Sequence, residues 1–197
     1  MAHTPDNDCL LDTTNTSQRQ ILDLREVGMR HALTLGRFHY NNASSPLTEQ
    51  CHPSWLVLVY VLAGYQRYRI DGRDIEARGG QGLRILPGQR YSTGDWPEQR
   101  GEIAWLILKV RPMPGGRALG MESDHAKSVF ERLCSDSASS LFTQSADIPS
   151  TISSAFEAWD IKDNALRSEI VRNRIAAKTS RSPPARVPAL SALITRR

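Results

Sequence analysis

The sequence predicts a mainly β fold, a small barrel followed by two or three helices. Residues 55–62 form a continuous apolar run rich in β-branched and aromatic side chains, which is typical of a strand buried on both faces. Glycine and proline corners separate further short apolar runs at intervals of about eight to twelve residues, the spacing of strands in barrels and sandwiches. From residue 123 onward, apolar side chains recur instead with a helical period.

Each strand has its own local signal. Residues 27–35 are expected to open the first hairpin, and residues 65–70 alternate aromatic or apolar side chains with polar ones. Asp71-Gly72 predicts the next hairpin turn, because both residues can adopt positive φ, so that residues 74–78 return along the sheet. The remaining strands are expected at residues 83–86 and 103–110, with corners at residues 79–82 and 87–88.

The chain divides into four regions. Residues 1–20 are polar, show no apolar period and are interpreted as a flexible leader, and residues 21–112 are expected to form the barrel. Residues 113–177 are expected to be a helical linker region, and residues 178–197 a basic, proline-rich and disordered tail. Helices are predicted from a cap at Ser123, at residues 150–160 and at residues 164–177.

Composition is that of a globular, cytoplasmic protein. With 197 residues, 40% of them hydrophobic, the chain can bury a core without disulfide bonds. Its three cysteines, Cys9, Cys51 and Cys134, lie far apart without Cys-x-x-Cys spacing, which argues against a disulfide framework or a structural zinc site. No apolar run reaches the length of a membrane span, and no signal peptide is visible. We therefore expect a soluble protein of the cytoplasm.

The net charge of +4 is located in the tail. Residues 178–197 hold five basic residues and no acidic one, whereas residues 1–177 carry 20 basic and 21 acidic residues. A neutral body makes no strong electrostatic contact with DNA. Five phosphate contacts would give a slope of log affinity against log salt of about −4.5 at most. Weak binding without sequence preference is therefore the most that we expect from the tail.

Three segments carry a resemblance to a known family. They are residues 52–64 (HPSWLVLVYVLAG), residues 69–73 (RIDGR) and residues 80–88 (GQGLRILPG). These segments look like a cupin barrel and, more narrowly, resemble the N-terminal effector-binding and dimerisation domain of AraC-type (arabinose regulator) transcription factors, over residues 21–177. The resemblance implies a cupin-like (RmlC-like, jelly-roll) barrel, a small-molecule effector such as a sugar, and a homodimer formed through the C-terminal helices.

Two features depart from this family. In the barrel corner, Gln81 stands where the family usually has Asp, and Leu86 replaces one of two prolines. After the helical region only twenty residues follow, rich in proline and arginine, whereas the family's DNA reader carries two helix-turn-helix units. We therefore expect no sequence-specific DNA binding by this chain alone. A truncation or a change of reading frame is one hypothesis for its end.

Enzymatic cupins hold a metal ion through a His-x-His pair, a Glu further along and a His after the last corner. In the register that the resemblance implies, these positions are Gln50, His52, Val57 and Tyr91. Only His52 can act as a ligand there, and a metal site needs three or more protein donors. Cys51 lies beside His52, but neighbours on a strand point to opposite faces. We therefore expect no metal, no cofactor, no catalytic residue and no enzymatic activity.

The same register turns His52, Val57 and Tyr91 into the barrel, and Trp55 shares the face of Val57. On the last strand, Trp105 matches a position on the family's ligand-contacting strand. Aromatic faces with a few polar groups suit sugars and related ligands. The predicted ligand-binding residues are therefore His52, Trp55, Tyr91 and Trp105.

Three functions stay open at this point. The preferred one is a sensor and dimerisation domain that binds a small polar metabolite, because most of the metal ligands are missing. The second is a metal-dependent cupin enzyme of the sugar isomerase or dioxygenase type. The third is a stand-alone structural barrel whose aromatic side chains only fill the interior. Arg67 and Arg69 are expected on the solvent face of their hairpin.

Overall fold

The computed structural model describes residues 13–29, 31–110, 117–118, 121–135 and 139–181. The strands are β1 (Arg19–Asp23), β2 (Ala32–Tyr40), β3 (Gln50–Cys51), β4 (Trp55–Ile70), β5 (Arg73–Arg78), β6 (Gln81–Ile85), β7 (Arg90–Ser92), β8 (Gly101–Lys109), β9 (Arg117–Ala118), β10 (Met121–Glu122) and β11 (Leu141–Thr143). The helices are α1 (Ser123–Leu133), α2 (Ile148–Trp159) and α3 (Asn164–Arg181), with a short 3-10 helix at Leu24–Val27.

The barrel consists of two antiparallel layers that share β4. The larger layer has the strand order β1-β2-β8-β4-β6-β11, and in the smaller one β4 pairs with β5 and β7, and β7 with β3. The register between β4 and β8 shifts between Val61 and Ala63, where β4 passes from one layer to the other. Gly64 has a φ of +79°, and a Cβ atom there would collide with the carbonyl oxygen of Arg100. Glycine therefore permits the bend that lets both layers enclose one core.

The larger layer is buried on both faces, as the apolar run predicts. On β4, Leu56 and Leu58 join the core that packs against the helices, whereas Val57 and Val59 join the core of the barrel interior. Side chains alternate along a strand, so the two cores lie on opposite sides of the same sheet. A strand in this position needs no polar face, which explains its unbroken apolar sequence.

Helices α2 and α3 cover the outer face of the larger layer. Their buried residues face the leucines of β2, β4 and β8 in one core. Apolar spacing of three and four residues turns one stripe of each helix toward the sheet. The buried residues of these two helices are Ile148, Ile152, Ala155, Ala158, Val171 and Ile175.

The mainly β fold with a cupin-like barrel and C-terminal helices is confirmed, with three local differences. Residues 24–27 form a 3-10 helix, because Asp23 caps its N-terminus and Gly28 ends it with a φ of +77°. Strand β11 lies between the helix predicted from Ser123 and the helix predicted at residues 150–160, and it extends the larger layer beside β6. Helix α3 continues to Arg181, into the region predicted as tail, since Pro183 disfavours helix only from the residue before it.

Parts of the predicted leader and tail, residues 1–12 and 182–197, lie outside the described residues. Strand β1 begins at Arg19, within the region predicted as leader. In the part of the chain that the structure describes, no helix combines the length and the apolar character needed to cross a membrane.

Candidate ligand site inside the barrel

The inner face of the barrel carries polar as well as apolar side chains. Phe38 and Tyr40 of β2 belong to the interior core. Because side chains alternate along a strand, Thr34 and Gly36 lie on the same face as these two aromatic residues. The inward row of β2 therefore runs from a hydroxyl through a glycine to two aromatic rings.

One group of interior side chains, here named the His52 cluster, consists of Gln50, His52, Trp55 and Tyr91. The His52 ring stacks on Trp55 with ring centroids 4.4 Å apart, and the Tyr91 ring lies 6.0 Å from His52. The Tyr91 hydroxyl donates to Gln50 Oε1 at 3.0 Å, and His52 Nε2 lies 3.3 Å from the same oxygen. The structure thus brings three of the four predicted ligand residues together around Gln50.

The His52 cluster does not fit a transition metal. Burial lowers the pKa of His52, which keeps its imidazole neutral at pH 7. Burial, with a contribution from Cys51, raises the pKa of Tyr91 to about 12, so its phenol keeps its proton. Gln50 is an amide and Val57 offers no donor atom, which leaves one good ligand. Among the described residues, no three His, Cys, Asp or Glu side chains are grouped as a metal site requires.

A second group, here named the Glu98 cluster, consists of Arg19, Tyr40, Tyr68, Glu98 and Trp105. The Tyr40 hydroxyl donates to Glu98 Oε1 at 2.6 Å. The guanidinium carbon of Arg19 lies 5.8 Å from the centre of the Trp105 ring, within the range of a cation–π contact. This cluster combines a carboxylate, a cation, two phenols and an indole face.

Trp105, the fourth predicted ligand residue, lies apart from the other three. It pairs with Gly36 of β2, whereas Trp55 pairs with Lys109. Lys109 lies four positions beyond Trp105 on β8, which corresponds to about 13 Å along the strand. A Cβ atom on Gly36 would overlap the Trp105 ring, so the indole lies against the backbone of β2 and points away from β4.

Electrostatic interactions join the two clusters into one polar row. Burial raises the pKa of Glu98, while the hydrogen bond from Tyr40 and the charge of Arg19 lower it. Burial, followed by the Glu98 carboxylate, raises the pKa of Tyr40. The pKa of Tyr68 is raised by burial, then by Glu98 and by Tyr91 of the His52 cluster. Tyr68 therefore lies between the clusters and within electrostatic reach of both.

Thr34 adds an inward hydroxyl to this surface. The residue is 2% exposed, and among the described residues its Oγ1 has no hydrogen-bond partner. Leaving such a hydroxyl unpaired in a core costs about 1–3 kcal/mol. A polar ligand in the barrel would supply the missing partner.

Sequence reasoning missed most of the Glu98 cluster. Glu98 belongs to a loop, where it forms an isolated bridge with Ser44, and no periodic pattern marks it. Arg19 lies in the segment interpreted as leader. Tyr68 could have been found, because the alternation of residues 65–70 places it on the buried face with Ile70.

Arg67 and Arg69 lie outside the interior site. Arg67 pairs with Glu76 at 3.0 Å, Arg69 pairs with Asp74 at 2.8 Å, and both guanidinium groups stack on Trp96. Their charges are engaged in ladders across β4 and β5, as a solvent-facing surface allows.

Comparison with protein families identifies the domain. The family described as the AraC-like ligand-binding domain matches residues 31–173. The chain belongs to this family. The resemblance seen in the sequence is thereby confirmed, and ligand binding is the activity that the family's description gives. All members of the His52 cluster, and all members of the Glu98 cluster except Arg19, lie within the matched range.

Solved cupin structures resemble parts of this AraC-like domain. A cupin protein from Bacteroides fragilis is 18% identical, with a TM-score of 0.41, over 53% of this chain and 87% of the other. A predicted oxalate decarboxylase from Thermotoga maritima is 16% identical, with a TM-score of 0.40, over 47% and 81%. An RmlC-like cupin from Shewanella frigidimarina is 17% identical, with a TM-score of 0.36, over 47% and 76%. Comparison with curated protein sequences gives no match.

Proposed function

We propose that this AraC-like domain is the effector-sensing part of a cytoplasmic transcription regulator and binds a small polar metabolite inside its barrel. The polar row of the barrel interior carries the proposal. A barrel that served only as a scaffold would gain stability from an aliphatic interior like the outer face of its own sheet. The hydroxyls of Tyr40 and Tyr68, the Glu98 carboxylate and the Thr34 hydroxyl are instead turned inward.

The chemistry of the interior favours a hydroxylated ligand such as a sugar. Trp105 and Trp55 offer aromatic faces, and the tyrosines and Gln50 offer hydrogen-bond donors and acceptors. Ligand pockets in small barrels combine such apolar walls with a few placed polar groups. Among the described residues, His52 contacts Gln50 and aromatic rings and has no carboxylate partner to orient it as a general base, which supports sensing over catalysis.

A sensor of this type must transmit its ligand state to a partner. We assign dimerisation to the helical region, where Leu166 of α3 is 48% exposed. This assignment follows the family resemblance, in which the helices of two copies pair, and a second copy would cover this leucine. The mass of the purified chain in sedimentation tests this assignment. Sequence-specific contact with DNA is assigned to a module other than this ligand-binding domain, because base readout needs a recognition element held in a groove.

A metabolite screen tests ligand binding. A bound ligand at about 100 times its Kd adds about 2.7 kcal/mol to the free energy of unfolding, which is visible as a thermal shift. The pocket variant is Tyr68→Phe, which removes one interior hydroxyl and keeps the ring. The matched control is Tyr65→Phe on the same strand, because Tyr65 is 41% exposed.

We expect at least one polar metabolite to raise the melting temperature of the wild type and of Tyr65→Phe equally. Tyr68→Phe should lower the affinity for that ligand by roughly twofold to tenfold, the effect of losing one hydrogen bond. If no metabolite stabilises the chain, or if Tyr68→Phe binds as tightly as the control, the interior is not the ligand site.

A further inference from the structure

Arg19 places a positive charge at one end of the barrel interior. It lies opposite Phe38, and directly opposed residues of antiparallel strands point to the same face, here the inner one. Its guanidinium carbon lies 5.8 Å from the Trp105 ring centre, and its charge acts on Glu98 and Tyr40. A cation that belongs to the chain is therefore held where an indole face and a carboxylate meet.

The surroundings of Arg19 favour a positive charge over other groups. Glu98 is partly buried, and a buried carboxylate needs a cation or several hydrogen-bond donors. The hydroxyl of Tyr40 donates one bond of 2.6 Å to it. The face of the Trp105 ring is electron-rich and attracts cations. Phe38 stacks on Tyr40 at 4.0 Å and adds a further aromatic wall.

We propose that the Glu98 cluster is a subsite for a cationic group of the effector, an ammonium or a guanidinium, and that Arg19 occupies this subsite in its place. The inference rests on the proposed function and narrows it to polar metabolites that carry a positively charged nitrogen. An anionic ligand that displaced Arg19 would be repelled by Glu98. A neutral ligand that displaced Arg19 would leave the carboxylate without its counter-charge.

Exchange of Arg19 for a ligand cation is feasible because Arg19 lies at an accessible edge of the barrel. Its side chain is partly exposed, and among the described strands β1 is an edge strand that pairs with β2. A ligand cation that enters from this edge can contact the indole face and the carboxylate and add contacts with the tyrosines of the polar row. Arg19 also precedes residues 31–173, the range that the family match covers.

Two probes of equal shape test the charge requirement directly. N-ethylguanidinium and N-ethylurea are both planar and of nearly equal size, and they differ in charge. Each is titrated into the full chain, and binding is followed by calorimetry and by tryptophan fluorescence, because Trp105 forms one wall of the subsite. We expect N-ethylguanidinium to bind at least about tenfold more tightly than N-ethylurea, as a charge-assisted contact requires.

Two variants connect this preference to the proposed residues. Arg19→Ala removes the competing cation and should tighten N-ethylguanidinium binding by about twofold to fivefold. Arg25→Ala is its control, because Arg25 is an exposed arginine of the same segment that pairs with Asp23 at 2.6 Å. Glu98→Gln keeps an acceptor for Tyr40 and should abolish the preference for the charged probe. Thermal unfolding confirms that each variant is folded.

Equal affinities of the two probes would overturn the subsite, as would failure of both to bind. The same conclusion follows if Glu98→Gln keeps the preference, or if Arg19→Ala behaves like Arg25→Ala. The proposed function fails separately, when no metabolite stabilises the chain or when Tyr68→Phe binds the stabilising metabolite as tightly as Tyr65→Phe does. If a neutral metabolite binds in the barrel and Glu98→Gln leaves its affinity unchanged, the cationic subsite is rejected and the sensor function stays intact.

Discussion

The two faces of the larger layer are built from the same strands and have different chemistry. Toward the helices, β4 and β8 present Leu56, Leu58, Leu106 and Leu108, all at most 2% exposed. Toward the interior, the same layer meets phenols, an indole, a carboxylate and the Thr34 hydroxyl, which has no hydrogen-bond partner among the described residues. One face is arranged for packing, and the other accepts polar groups that packing alone does not require.

This difference indicates where the fold gains stability and where it gives stability up. Burying an aliphatic side chain contributes about 1.5–3 kcal/mol, whereas a buried polar group without a partner costs free energy. Proteins tolerate such costs where function needs them. Substitutions on the outer face should therefore cause the larger losses of unfolding free energy, and substitutions on the inner face should cause smaller changes in stability and alter recognition.

The largest effect is expected on the outer face. Leu58→Ala removes a side chain that is 1% exposed and leaves a cavity under the helices, which should cost about 2–5 kcal/mol of unfolding free energy. Chemical denaturation measures this loss. Lys127→Ala is the control, since the Lys127 side chain is 72% exposed on α1 and its loss should change stability by less than about 0.5 kcal/mol. Similar losses for both variants would show that the outer face is not a tightly packed core.

A smaller effect is expected where the inner face fixes Trp105. Gly36→Ala places a Cβ atom in the Trp105 ring, so the indole must move, at a cost of about 1–3 kcal/mol. Gly79→Ala is the control, because its nearest neighbour would be the Leu62 carbonyl oxygen at an ordinary 3.6 Å. Tryptophan fluorescence should shift in Gly36→Ala and stay unchanged in Gly79→Ala. An unshifted spectrum in Gly36→Ala would mean that the indole does not lie against β2.

The sequence could predict those parts of the site that strand periodicity controls. The fold class followed from the apolar run and the corners, and His52, Trp55 and Tyr91 meet because alternation and the family register place them on one face. Their role in binding a ligand stays a prediction. Helix α2 could likewise be predicted, because its apolar side chains recur with a helical spacing.

The remaining contacts depend on residues that are distant in sequence. The position of Trp105 is determined by Gly36 on a neighbouring strand, and nothing near Trp105 in the sequence indicates it. Glu98 follows no period because it lies in a loop, and its partner Tyr40 is 58 residues away. Arg19 reaches the interior only because β1 pairs with β2. Loops and edge strands are where pattern analysis has least information.

The smallest effect is expected for Glu98→Gln in the absence of any ligand. Unlike Leu58→Ala on the outer face, this inner-face substitution should raise the free energy of unfolding at neutral pH. Burial raises the pKa of Glu98 above the value near 4.5 that it has in the unfolded chain. The folded chain therefore binds the proton more tightly than the unfolded chain does. As pH rises from about 4.5 through the raised pKa, this group makes a growing unfavourable contribution to stability.

Glutamine is neutral at every pH and still accepts the hydrogen bond from Tyr40. Glu98→Gln should therefore be more stable than the wild type at pH 7 to 8, and the gain should disappear as pH falls below about 4.5, where the wild-type carboxyl is protonated in both states. Denaturation of both proteins across this pH range measures the difference. Tyr40 and Tyr68, whose pKa values depend on Glu98, keep their protons throughout this pH range, so the difference isolates this carboxyl. A Glu98→Gln variant that is less stable than the wild type at pH 7 would mean that Arg19 and Tyr40 more than offset the cost of burial, and the carboxylate would then be part of the scaffold. A gain in stability together with lost selectivity for cations is instead the behaviour of a group retained for recognition.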